Sequence, residues 1–90
     1  MTFSLKHHWW WEVKSGNKMV EYRNLTPFWA SRVKNMKPGD RIFFRCGRFD
    51  RSSDIPAILD FVDVGACPYR GWSGKYYRFF FHLEKQGGAK

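Results

Sequence analysis

The chain has 90 residues and a net charge of +8, from 16 Lys and Arg against 8 Asp and Glu. At this length there is room for one hydrophobic core and no second domain. Aromatic residues make up 20% of the chain, so a core is possible without disulfides or metal. The positive charge favours a polyanionic partner bound through phosphate contacts, and simple solubility is the alternative explanation.

The ends and apolar segments of the sequence exclude several membrane-related classes. The first residues lack the charged segment and continuous apolar run of a signal peptide, and no apolar stretch approaches the length of a membrane span. No basic amphipathic segment favours binding to a membrane surface. We therefore expect a cytoplasmic protein that does not bind membranes. Cys46 and Cys67 lie in hydrophobic segments away from any Cys/His cluster, so we expect reduced thiols, no metal and no other cofactor.

The first half of the chain predicts two strands that alternate with two helices. Gly16 is well placed to end the first helix in a left-handed conformation. Thr26 and Pro27 begin the second helix, because Thr accepts from the first-turn N–H groups and Pro fits the first helical position. The predicted strands are 3–6 and 19–23, and the predicted helices are 8–14 and 26–36.

The second half predicts strands joined by turns and loops. Residues 37–40 (Lys-Pro-Gly-Asp) have the composition of a turn. The predicted strands are 41–46, 55–64 with a bulge where its alternation slips, and 76–83. The predicted elements do not form repeated βαβ units. Their order predicts an α+β fold: a small mixed β-barrel of about five strands with two short helices near the N-terminal half. We expect one domain over residues 1–85 and a flexible tail over 86–90.

A short motif follows the first predicted helix and precedes the turn at 37–40. It has the form G-x-K-x-x-E-x-R and comprises Gly16, Lys18, Glu21 and Arg23. A helix, this motif and a K-x-G-D turn entering a hydrophobic strand resemble the ASCH domain over nearly the whole chain. The resemblance implies a PUA-like pseudo-barrel with a cleft near the G-x-K loop. It also implies a role in binding RNA or in chemistry on nucleosides.

The motif side chains suit a nucleotide. The Arg23 guanidinium and the Lys18 ammonium can hold a phosphate, while the Glu21 carboxylate can accept from a base amine or a ribose hydroxyl. The alternative is that Glu21 and Arg23 form an ordinary ion pair with no role in binding.

Aromatic and basic residues elsewhere extend the predicted site. Aromatic rings in the cleft can stack on a base, and basic side chains that alternate with aromatic ones suit single-stranded RNA. For the arginines, a solvated surface is the alternative. The candidate nucleic-acid-binding residues are Lys18, Glu21, Arg23, Trp29, Arg32, Arg45, Arg48, Trp72 and Tyr76.

Three functions follow from these features. The first is binding of RNA or a nucleotide by a monomer. The second is hydrolysis of a modified nucleoside or of RNA, with Lys18 and Glu21 as candidate catalytic residues. Some small ASCH relatives resemble amidohydrolases with a threonine three residues after the lysine, where this chain has Glu21. The third is a phage or mobile-element protein that binds and blocks a host factor.

Overall fold

The computed structural model describes residues 1–84, so the predicted tail, 86–90, lies outside the described residues. The described residues form five strands along the chain and two helices, both in the N-terminal half. This content confirms the predicted α+β class. The elements are β1 Thr2–Leu5, α1 His7–Lys14, β2 Val20–Arg23, α2 Pro27–Val33, β3 Arg41–Cys46, a 3-10 turn at Arg51–Ser53, β4 Ile55–Ala66 and β5 Lys75–Leu83. Within residues 1–84, no helix is both long and apolar enough to cross a membrane.

The strands form one mixed sheet in the order β1-β3-β4-β5-β2. β1 runs parallel to β3, and the other neighbouring pairs are antiparallel. β1 and β2 are the two edges, and no backbone ladder joins them in the part of the chain that the structure describes, so the described sheet is open and not the predicted barrel. A side chain spans this opening instead, because Nη2 of Arg23 on β2 donates to the carbonyl oxygen of Ser4 on β1 at 3.3 Å. This opening between the edges is called the seam below.

Local signals in the sequence set the helix boundaries. The Thr26 hydroxyl accepts from the Trp29 N–H at 3.3 Å, and Pro27 occupies the first turn, as predicted for the start of α2. Gly16 follows α1 with φ of 85°, a left-handed conformation that is unfavourable for residues with a Cβ atom. α2 ends at Val33, three residues earlier than predicted, and turns continue to the next strand.

Aromatic rings dominate the core beneath the seam. Phe3 from β1 packs edge-on against Phe79 from β5, with ring centroids 5.1 Å apart, and stacks on Phe44 from β3 at 5.4 Å. Trp29 of α2 lies parallel to Phe3 at 5.4 Å and covers the core from above. Burying such a ring contributes about 1.5–3 kcal/mol relative to leaving it exposed. The core therefore fixes β1 and α2, which border the seam.

The β4–β5 hairpin is longer than the sequence predicted. β4 contains the predicted irregularity between Leu59 and Phe61, but it continues to Ala66 because Gly65 and Ala66 pair with β5. Its loop, residues 67–74, reaches back toward the seam. Cys67 within it is buried, and both cysteines are free thiols, as predicted.

Candidate functional site

Three charged side chains of the motif meet at the seam. Lys18 Nζ donates to Glu21 Oε1 at 2.6 Å, and Arg23 Nη2 forms a salt bridge with Glu21 Oε2, also at 2.6 Å. Local backbone geometry brings Lys18 to this position, because its N–H bonds to the Glu12 carbonyl oxygen at 3.0 Å just after the left-handed turn at Gly16. We call Lys18, Glu21 and Arg23 the triad.

The triad is largely shielded from water. Lys18 is 7% exposed and Glu21 is 3% exposed. Buried charges need partners, and each cation here has both a carboxylate oxygen and an aromatic face. Lys18 Nζ lies 4.7 Å from the Trp9 ring centroid and 5.9 Å from that of Tyr69, within cation–π range. The predicted Glu21–Arg23 ion pair is therefore present, but it is a buried network and not an exposed surface pair.

Arg23 retains hydrogen-bonding capacity after these contacts. Its guanidinium carbon lies 5.1 Å from the Trp29 ring centroid and 5.3 Å from that of Phe3. Its bonds to Glu21 and Ser4 both leave from Nη2. Nε is buried and has no acceptor among residues 1–84. Since buried donors are nearly always satisfied, this group is a reason to look for a ligand beside Arg23.

The triad lines a cavity of about 360 Å³, which we call the triad cavity. It lies between β1, β2 and the β4–β5 loop. Lys6 adds a further cation to its rim, so the lining has three cations against one carboxylate. Most of the remaining wall is aromatic and comprises Trp9, Tyr22, Trp29, Tyr69 and Trp72.

The aromatic wall is internally packed and carries no charge at neutral pH. Tyr69 packs against Trp9 at 4.8 Å and against Tyr22 at 5.5 Å between ring centroids. Burial raises the pKa of the Tyr22 phenol and that of the Tyr69 phenol above the ordinary value of 10.0. Both rings therefore present neutral hydroxyl groups, and the charge of the cavity comes from the triad and Lys6.

The structure separates the predicted site residues into three groups. Lys18, Glu21, Arg23, Trp29 and Trp72 all line the triad cavity.

Tyr76 and Arg32 lie near this group but do not line the triad cavity. Tyr76 packs behind Trp72 at 5.3 Å, and its hydroxyl donates to the Ser73 carbonyl oxygen at 2.6 Å. Tyr76 thus supports Trp72 in the loop. Arg32 lies on α2 and lines a neighbouring cavity.

Arg45 and Arg48 line neither cavity. Arg45 makes a bidentate pair with Asp54, at 2.7 and 2.8 Å, and this bonding lowers the pKa of the Asp54 carboxyl. Arg48 follows β3 beside Phe49, a ring that is 88% exposed.

Sequence reasoning missed part of the aromatic wall. Trp9 belongs to the apolar pattern of α1, but that pattern predicts packing in the core as readily as a place in a cavity wall. Tyr69 lies in a loop without periodicity, so only the tertiary fold brings it to the triad. Lys6 directly precedes α1, where a lysine has no distinguishing pattern.

No protein-family model, curated protein or solved structure matches the chain.

Proposed function

We propose that this chain is an ASCH-type domain that binds single-stranded RNA or a nucleotide in the triad cavity. One observation carries the proposal: the Lys, Glu and Arg side chains of the motif converge on a solvent-accessible hollow that five aromatic residues also line. The aromatic rings suit the base of a nucleotide, and the excess positive charge suits its phosphate.

The aromatic wall supports binding of an unpaired base. Trp72 is 41% exposed and stands at the mouth of the cavity, with Tyr69 and Tyr22 deeper in the wall. Stacking of a base on an aromatic side chain contributes about 1–3 kcal/mol. Bases in a duplex are already stacked on each other, so such a wall favours single strands.

The charges support binding of a phosphate. Lys6 is exposed at the rim, and Arg23 keeps donors that the triad does not use. Glu21 holds the two triad cations in place, so little ordering is needed when a ligand enters. The net charge of +8 adds a long-range attraction that weakens as salt rises.

A titration of a labelled oligouridylate, followed by fluorescence anisotropy, tests the proposal. We expect association that weakens markedly between about 50 mM and about 200 mM salt. Lys6→Gln should lower the affinity and reduce the salt slope by roughly one phosphate contact. Lys34→Gln is the matched control, because Lys34 is an exposed lysine at the end of α2 and lines neither cavity. Absence of association at the lower salt would contradict the proposal.

Hydrolysis of a modified nucleoside or of RNA is the second candidate function. The Lys18 ammonium contacts the Glu21 carboxylate at 2.6 Å in the cavity wall, so an acid and a base are adjacent there. Binding is favoured over hydrolysis because both Glu21 oxygens are already paired with cations. Incubation with acetylated cytidine and with labelled RNA distinguishes the two. Turnover that Lys18→Ala abolishes without unfolding the protein would favour hydrolysis.

A further inference from the structure

A second cavity of about 360 Å³ lies next to the triad cavity, and we call it the side cavity. The two cavities share Ser4, Arg23 and Trp29 in their linings. Arg23 therefore borders both hollows. The side cavity is otherwise bounded by the start of the chain through β1 and by Phe28 and Arg32 of α2.

Arg32 presents an ordered positive charge to the side cavity. Its guanidinium carbon lies 3.5 Å from the centroid of the Phe28 ring, and its Nη1 donates to the Phe28 carbonyl oxygen at 3.2 Å. No carboxylate forms an ion pair with Arg32 in residues 1–84. By contrast, Arg45 and Arg78 are neutralised by bidentate aspartates. Arg32 is thus held in one orientation with its charge available.

Arg23 also lines the side cavity, and part of its guanidinium has no hydrogen-bond partner in residues 1–84. Nε has no acceptor among the described residues, and Nη1 makes no hydrogen bond to them. A guanidinium binds a phosphate through two parallel hydrogen bonds, which gives both strength and direction. Within the described part of the chain, the side cavity is lined by two guanidiniums and by no carboxylate, and the Glu21 carboxylate that contacts Arg23 is shared with Lys18, so the lining favours an anion.

We infer that the side cavity is a second subsite, which holds the phosphodiester that follows the base in the triad cavity, between Arg23 and Arg32. This inference rests on the proposed function and narrows it: the preferred ligand is single-stranded RNA of at least two nucleotides, and not a single nucleoside. The outer face of the Arg32 guanidinium, opposite Phe28, then offers a stacking surface for the neighbouring base.

The test compares uridine with the dinucleoside monophosphate UpU by NMR titration. In the wild-type protein, UpU should bind at least about tenfold more tightly than uridine, because it adds the phosphodiester and a second base. Arg32→Gln should remove most of that gain and leave uridine affinity within about twofold. Arg48→Gln removes the same charge from a position outside both cavities and should leave the UpU gain in place. Thermal unfolding verifies that each variant is folded.

The outcomes distinguish this inference from the proposed function. If uridine binds but UpU gains nothing in the wild-type protein, the second subsite is wrong and the triad cavity still stands. Equal losses of UpU affinity in Arg32→Gln and Arg48→Gln would also overturn the subsite, since they would report only net charge. If neither compound binds at all, both proposals fall.

Discussion

Glu21 and Lys18 form a 2.6 Å salt bridge in which both side chains are almost excluded from water. Arg23 occupies the second oxygen of the same carboxylate. A single buried carboxylate is thus shared by two cations, so the triad keeps a net positive charge. The same contacts that shape the proposed binding site therefore also hold the edge of the sheet together.

The first prediction concerns this buried network. Glu21→Ala leaves Lys18 and Arg23 without their carboxylate, and breaking a buried pair in this way costs about 3–5 kcal/mol of unfolding free energy. Glu84→Ala is the control, because the Arg41–Glu84 pair is much more exposed and should cost under about 1 kcal/mol. Urea denaturation measures both variants. Similar losses of unfolding free energy in Glu21→Ala and Glu84→Ala would mean that the triad is not the stabilising network described above.

The second prediction concerns the aromatic wall. Trp72→Ala should weaken binding of an oligouridylate roughly 5-fold to 150-fold, which corresponds to about 1–3 kcal/mol for one stacked base. Trp11→Ala is matched in chemistry and exposure, since Trp11 is 50% exposed on α1 and lines neither cavity. Its affinity should stay within about twofold of wild type. An equal effect of both variants would argue against stacking in the triad cavity.

The third prediction concerns pH. Hydrogen bonds from Arg78 hold the pKa of the Asp63 carboxyl below its ordinary value of 3.8, and Arg45 does the same for Asp54. Because these pKa values are lower in the folded state, the stabilisation is present above the unfolded value and is lost as pH falls through the folded values. The urea concentration at the unfolding midpoint of the wild-type protein should therefore decrease as the pH is lowered below about 4.

The double variant Asp54→Asn, Asp63→Asn isolates this contribution. It should be less stable than wild type at neutral pH, and its urea midpoint should fall less on acidification. A wild-type pH profile in the double variant would show that these two pairs do not contribute.

Local chemistry explains why much of the fold was predictable. Thr26 and Pro27 determine the start of α2 through contacts within one helical turn, and the turn at 37–40 forms its own Asp40–Lys37 hydrogen bond of 3.0 Å. The strand that follows, Arg41–Cys46, has the predicted bounds because its alternation is uninterrupted. The predicted barrel closure is not a local property, since it depends on how β1 and β2 approach each other, and no backbone ladder joins these two strands within residues 1–84.

The site was predictable only in part for the same reason. The motif spacing places Glu21 and Arg23 on the same side of β2, but no spacing reveals that Lys18 is buried against Trp9. Tyr69 reaches the triad because the β4–β5 hairpin is long and its loop folds back. Arg45 was predicted as a binding residue, and in the structure it pairs with Asp54. The sequence did not indicate this pairing, because a 3-10 turn brings Asp54 back to Arg45.

The most direct measurement of the central claim uses the five tryptophans as separate reporters. In an NMR titration with oligouridylate, each indole N–H gives its own signal. The indoles of Trp10 and Trp11 donate to the Ser53 carbonyl oxygen and to His7, outside the triad cavity. We predict shifts for Trp9, Trp29 and Trp72, with Trp10 and Trp11 nearly unchanged. Shifts confined to Trp10 and Trp11, or no shift in any indole signal, would contradict binding in the triad cavity.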